Sequence, residues 1–175
     1  MSELAITLTV DALSVTQLSD QLNFADLQTI TSTLTNLLQG QAAGSQPLTE
    51  LEIVTEAVAA SGSVTFRLTG PVANDTVTIN GVTFTGKASG ASGNEWNVST
   101  TPATNATRLA AAINASVSVD IADVITATAS GDSVLLVADT KGADGNDITL
   151  AKSATNTNVS GSTFTGGIDS VTYTY

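Results

Sequence analysis

Residues 75–86 read DTVTINGVTFTG. Apolar and hydroxyl side chains alternate on both sides of Asn80-Gly81, so each flank has a strand's two faces, and the central pair tolerates the positive φ of a two-residue hairpin turn. The stretch predicts two antiparallel strands with Asn80 and Gly81 both at positive φ. Working outward, SVTFRLTG (63–70) alternates in the same way, and EWNVST (95–100) reads as a further short strand. Beyond residue 120, VITATA (124–129), DSVLLVAD (132–139) and DITLAKSA (147–154) alternate again. SGD and TKGADGN separate them and predict hairpin turns, and STFTGGIDSVTYTY (162–175) supplies one or two closing strands.

One stretch breaks this pattern. NATRLAAAINAS (105–116) turns to Ala and Leu, with Leu109, Ala112 and Ile113 on one face at helical spacing and Thr104 or Asn105 placed to cap the start. A single amphipathic helix across the open face of a sheet saves that sheet from needing a second one. The fold class expected is α+β, mainly β: an antiparallel sheet or sandwich with one crossing helix, preceded by a small strand-plus-helix N-terminal segment.

That N-terminal segment covers residues 1–52, and the β-rich domain covers 53–175. Leu4, Ile6, Leu8 and Val10 alternate as one face of a half-buried strand. Leu27, Ile30, Leu34 and Leu37 recur at spacings of three and four, which predicts a helix from about Phe24 to Gln39, with Gly40 as its C-terminal stop. GQAAGSQP (40–47) is the loop that follows.

The chain has 175 residues, enough to bury a real core. Only 12% of them are charged, about half the usual share, so polarity comes from Thr, Ser, Asn and Gly. Net charge is −11, and it is uneven: residues 1–66 carry seven acids and no base, while 67–175 carry nine acids and five bases. Scattered Arg67, Lys87, Arg108, Lys141 and Lys152 cannot form the basic face that displaces counterions from a phosphate backbone, so no nucleic-acid partner is expected. No apolar run approaches the roughly 20 residues of a membrane span, and MSELAITLTV lacks a signal peptide's basic start and apolar centre. The expectation is a protein made and soluble in the cytoplasm, with no membrane partner.

His and Cys are both absent. Their absence removes imidazole acid–base catalysis, Ser-His-Asp and Cys-His nucleophiles and nearly every zinc site. No Asp-Thr/Ser-Gly tripeptide occurs, and five Glu with one Trp make poor material for a glycosidase cleft. The reading is a non-enzyme with no catalytic residues and no cofactor. GVTFTGKAS (81–89) nearly matches a phosphate-binding loop but fails at Ala88, and it sits on a strand where a strand-to-helix turn is needed. Asp139, Asp144, Asn146 and Asp147 share one turn, which makes Asp139, Asp144 and Asp147 calcium candidates; tight β-turns select the same residue types. Asn74, Asn97, Asn105, Asn114 and Asn158 begin Asn-x-Ser/Thr triplets, which without a secretory signal reflect only composition. Trp96, Tyr173 and Tyr175 read as core or interface anchors.

The ordered set DTVTINGVTFTG, TNATRLAAAINAS, ITATASGDSVLLVADTKGADGNDITLA and STFTGGID resembles a β-module of tailed-bacteriophage virion proteins, over Ser63 to Asp169. The resemblance implies a virion building block without catalytic residues. Its expected role is a capsid decoration (cement) protein, with a tail-tube or baseplate component as the alternative and a glycan-binding surface module as the reading from another class. Expected partners are further copies of itself, as a trimer, and the major capsid protein or neighbouring tail proteins. The expected assembly interface is the pair of apolar stripes Leu4, Ile6, Leu8, Val10 and Leu27, Ile30, Leu34, since such stripes need a neighbour to cover them.

Overall fold

A computed structural model describes residues 6–10, 51–154 and 156–174. The protein is mainly β, with antiparallel sheets, and its chain divides into two compact units: Met1–Ala57 with Ser170–Tyr175, and Val58–Asp169. The helix expected over 24–39, with Leu27, Ile30 and Leu34, lies outside the described residues, as does Leu4.

In the first unit, β1 (Ile6–Val10), β2 (Leu51–Thr55) and β11 (Val171–Thr174) form one sheet in the order β1-β2-β11. β1 runs parallel to β2, from Ile6 opposite Leu51 to Val10 opposite Thr55, and β11 runs antiparallel, with Val171 opposite Thr55. The hydroxyl of Thr55 fixes that register, accepting from the Val171 N–H at 3.0 Å and donating to its carbonyl at 3.3 Å. The last strand therefore belongs to the sheet of the front segment. The second unit is an insertion between two hydrogen-bonded neighbours.

The second unit contains two four-stranded sheets. One has the order β10-β3-β8-β7, from β3 (Ser61–Phe66), β7 (Ile125–Ser130), β8 (Ser133–Ala138) and β10 (Thr157–Val159). The other has the order β6-β5-β4-β9, from β4 (Thr76–Ile79), β5 (Val82–Lys87), β6 (Glu95–Asn97) and β9 (Leu150–Lys152). Alternation decides which face is buried: Val64 and Phe66, Val77 and Ile79, and Val134 and Leu136 point into one core shared with Phe84, Trp96 and Phe164. Phe66 and Trp96 meet in a tilted pair, ring centroids 6.4 Å apart.

The opening hairpin forms as expected, with Ile79 opposite Val82 and φ of 48° at Asn80 and 79° at Gly81. SGD also turns as expected between β7 and β8. TKGADGN does not make a hairpin. β9 pairs with β4 in the opposite sheet, so 139–149 is a crossover holding a short 3-10 turn, Ala143–Asp147. Alternation shows that a strand exists and is silent about its partner.

The helix α1 spans Pro102–Asn114, starting three and ending two residues ahead of the expected 105–116. Pro102 occupies the first helical position, where a missing N–H costs nothing, so Thr101 is the cap residue and Asn105 lies within the first turns. Ala110, Ala111 and Ala112 favour the helix, which ends at Asn114. It buries Ala106, Leu109 and Ile113. It packs across β7, β8 and β3 of one sheet, as a crossing helix is expected to, and also meets β6 and β5 of the other.

Candidate assembly surfaces

Open sheet edges are sites for pairing with another chain. In the second unit they are bridged from within. On the β7 side, the Asn114 amide accepts from the Ala127 N–H at 2.9 Å and donates to its carbonyl at 2.8 Å, so a helix side chain stands in for a neighbouring strand. Asn105 repeats this device beyond β6: its Oδ1 accepts from the Ser99 N–H at 2.9 Å and its Nδ2 donates to the Ser99 carbonyl at 2.6 Å. Arg108 Nη1 adds a bond to the Asn97 carbonyl at 3.0 Å. Asn146 does the same for Gly167, at 2.9 Å in both directions.

On the other flank, one interrupted strand joins the two sheets. From Thr157 opposite Phe66 it runs antiparallel to the 58–66 segment, as far as Val58 opposite Ile168. Between these points it detours: the Leu150 N–H donates to the Ser162 carbonyl, the Phe164 N–H to the Ile148 carbonyl, and Thr165 and Ser61 exchange both backbone bonds. The detour drops the fully buried Phe164 ring between the sheets. Gly62 leaves the room for it, since a Cβ there would sit 2.7 Å from the ring.

The first unit is different. β1 and β11 are the outer strands of its sheet, and among the described residues no strand pairs with their far edges. Ile6, Leu8 and Val10 fall in β1, at register positions opposite Leu51, Ile53 and Thr55.

The remaining sequence candidates separate. Asp139, Asp144 and Asp147 do not come together: among the described residues no three His, Cys, Asp or Glu side chains form a group able to hold a metal ion. Asp139 accepts from the Thr126 hydroxyl at 2.6 Å, while Asp144 and Asp147 lie along the exposed 3-10 turn. The acid that enters this loop is Asp169, which accepts from the Ala143 N–H at 2.7 Å. The phosphate-loop look-alike is strand β5, and its Lys87 is paired with Glu95 at 3.1 Å. Two of the Asn-x-Ser/Thr asparagines, 105 and 114, are the backbone-bridging amides. No sequence signal distinguished them, because each partner lies on a different element.

The Glu95 carboxyl is held below its ordinary range, first by the Ser92 N–H, which donates to Oε2 at 3.1 Å, and then by the Lys87 ammonium. Among the described residues, no helix is long and apolar enough to cross a membrane. No protein-family model matches the chain, and no curated protein does.

Proposed function

We propose that the protein is a bacteriophage virion structural protein, a capsid decoration protein that stabilises the shell from outside. The observation that carries this reading is the insertion of the second unit between β2 and β11. Its flanks are bridged internally, so it is suited to display. Among the described residues the sheet of the first unit has two outer strands, and an unpaired strand edge accepts a strand from a second copy or from the shell by backbone hydrogen bonds. The charge fits the outside of a DNA-filled particle, since a chain of net charge −11 is repelled by packaged phosphate. The partners are further copies of the chain and the major capsid protein, and no catalytic group or cofactor takes part.

Co-sedimentation with empty shells tests this. Deleting residues 1–20, which removes β1, is expected to leave a folded second unit that no longer joins particles; retention at the parental level would overturn the reading. Raising salt is expected to slow binding of the intact protein more than it weakens the finished complex. Negative-stain images of the purified protein check the location: discrete oligomers, short chains or single rings are expected, and long tubes with a continuous lumen would move the protein to the tail.

A further inference from the structure

The second unit has two ends, and they differ in charge. Its chain enters and leaves at one of them, where Val58 and Ile168 exchange backbone bonds. The other end is where β3 finishes and β8 begins. Helix α1, about 20 Å long, runs between them, from Ser99 beside Gly70 to the Asn114–Ala127 bridge. Four of the unit's five bases, Arg67, Lys87, Arg108 and Lys152, lie towards the far end with three of its nine acids. The other six acids, Asp120, Asp123, Asp139, Asp144, Asp147 and Asp169, lie at the entry end with a single base, Lys141.

Four of the second unit's five large exposed apolar side chains sort in the same way; the fifth, Leu135, stands within β8. Leu68 and Val72, 81% and 65% exposed, stand on the far loop; Val117 and Val119, 93% and 83% exposed, stand at the entry end beside Asp120 and Asp123. The far loop is held in shape to present its pair. Leu68 has φ of +51°, a left-handed conformation unfavourable for a branched side chain. The turn around it is fixed by the Gly70 N–H to the Arg67 carbonyl, by Asn156 Nδ2 to the Gly70 carbonyl, and by the Val72 N–H to Asp75. The entry-end loop is tied by Asn80 Nδ2 to the Asp120 carbonyl at 3.0 Å.

We infer that the second unit docks head to tail on a second copy of this chain: Leu68 and Val72 of one copy, beside Arg67, against Val117 and Val119 of the next, beside Asp120 and Asp123. Two unlike patches at opposite ends of one body make a heterologous contact, which extends into open chains or closes into rings. The far end carries four bases against three acids, net +1, and the entry end one base against six acids, net −5, which disfavours pairing two entry ends and so sets polarity, while burial of the aliphatic pairs supplies the attraction. The inference does not depend on the virion reading, which concerns the first unit and the shell.

Sedimentation of the full-length protein tests it. The weight-average mass of the parent is expected to rise with concentration. L68D/V72D, which spoils the far end, and V117D/V119D, which spoils the entry end, are each expected to weaken that association more than about tenfold. An equimolar mixture of the two variants keeps one sound end of each kind. Its mass is expected to rise again, to a ceiling of one added copy. Should either variant melt below the parent, V72S and V119S replace them and are expected to give the same pattern at smaller amplitude. A parent whose mass is independent of concentration, a variant that associates like the parent, or a mixture no heavier than its separate components would each overturn the inference. Shell binding of the same variants is expected to stay at the parental level, which separates this contact from attachment.

Discussion

Among the described residues, the two units treat the edges of their sheets differently. In the second, side-chain amides from a helix and from a loop, together with one detouring strand, occupy backbone groups along the flanks of its two sheets. In the first, the described sheet has three strands and two outer edges. A small three-stranded sheet buries little apolar surface by itself. A body of two four-stranded sheets and a helix around a core with Phe66, Phe84, Trp96 and Phe164 has the makings of an independent domain. The difference predicts that damage to the core and bridged flanks of the second unit is read as lost stability, and damage to the first as lost attachment to the shell.

The sharpest test is the core that the closure seals. Phe164→Ala removes the side chain joining the detour to both sheets and is expected to cost about 3–5 kcal/mol, measured by denaturant unfolding. Leu109→Ala, on the buried face of α1, is expected to cost about 2–5 kcal/mol. If both variants unfold like the parent, the closure is not what stabilises the second unit and the contrast fails.

The amide bridge comes next. Asn114→Ala strips the N–H and carbonyl of Ala127 of their partner and opens the flank of β7, with an expected loss of about 1–3 kcal/mol and a greater tendency to associate through that flank. Asn114→Asp keeps the acceptor and removes the donor. It is expected to fall between the parent and Asn114→Ala; an Ala variant as stable as the parent and no more associated would show that water replaces the bridge without loss.

The turn at Asn80-Gly81 isolates a purely local effect within the closed unit. A Cβ on Gly81 would meet nothing within 4 Å, so Gly81→Val is opposed only by φ of +79°. The expected cost is about 1–2 kcal/mol, and unchanged thermal stability would remove that assignment.

These positions also mark what the sequence could disclose. The hairpin and the helix were legible because their causes lie within a dozen residues: a turn pair that accepts positive φ, and Leu109 and Ile113 at helical spacing. The pairing of β9 with β4 and of β11 with β2 was not, since a strand's alternation is the same whichever neighbour it takes. The asparagines were read as turn and sequon residues, and their use depends on where the backbone of Ser99, Ala127 and Gly167 comes to lie. The acidic turn was read as a cluster, and the crossover geometry distributes its carboxylates. Of the candidate assembly stripes, the sequence placed Ile6, Leu8 and Val10 on the strand that the structure describes; Leu27, Ile30 and Leu34 lie outside the described residues.

The smallest expected effect lies at the edge of the second unit, where Glu95 on β6 and Lys87 on β5 face each other with their side chains 28% and 37% exposed. Water reaches both groups, so the pair is screened and adds little to stability at neutral pH. Its sign is still definite. The folded protein holds the Glu95 carboxyl below its ordinary range, chiefly through the Ser92 N–H, so the folded state binds this proton less readily than the unfolded chain. The contribution is complete above the ordinary glutamate pKa. It declines as pH falls from there and is lost once pH passes the lower folded value. Glu95→Gln keeps an acceptor for Ser92 and cannot ionise, so it is expected to flatten this part of the acid limb while leaving stability at low pH near that of the parent. Thermal melts of both proteins across that window measure the effect. Parallel curves would show that ionised Glu95 contributes nothing to holding β6 on β5 beyond the backbone bonds of that pair and the buried Trp96.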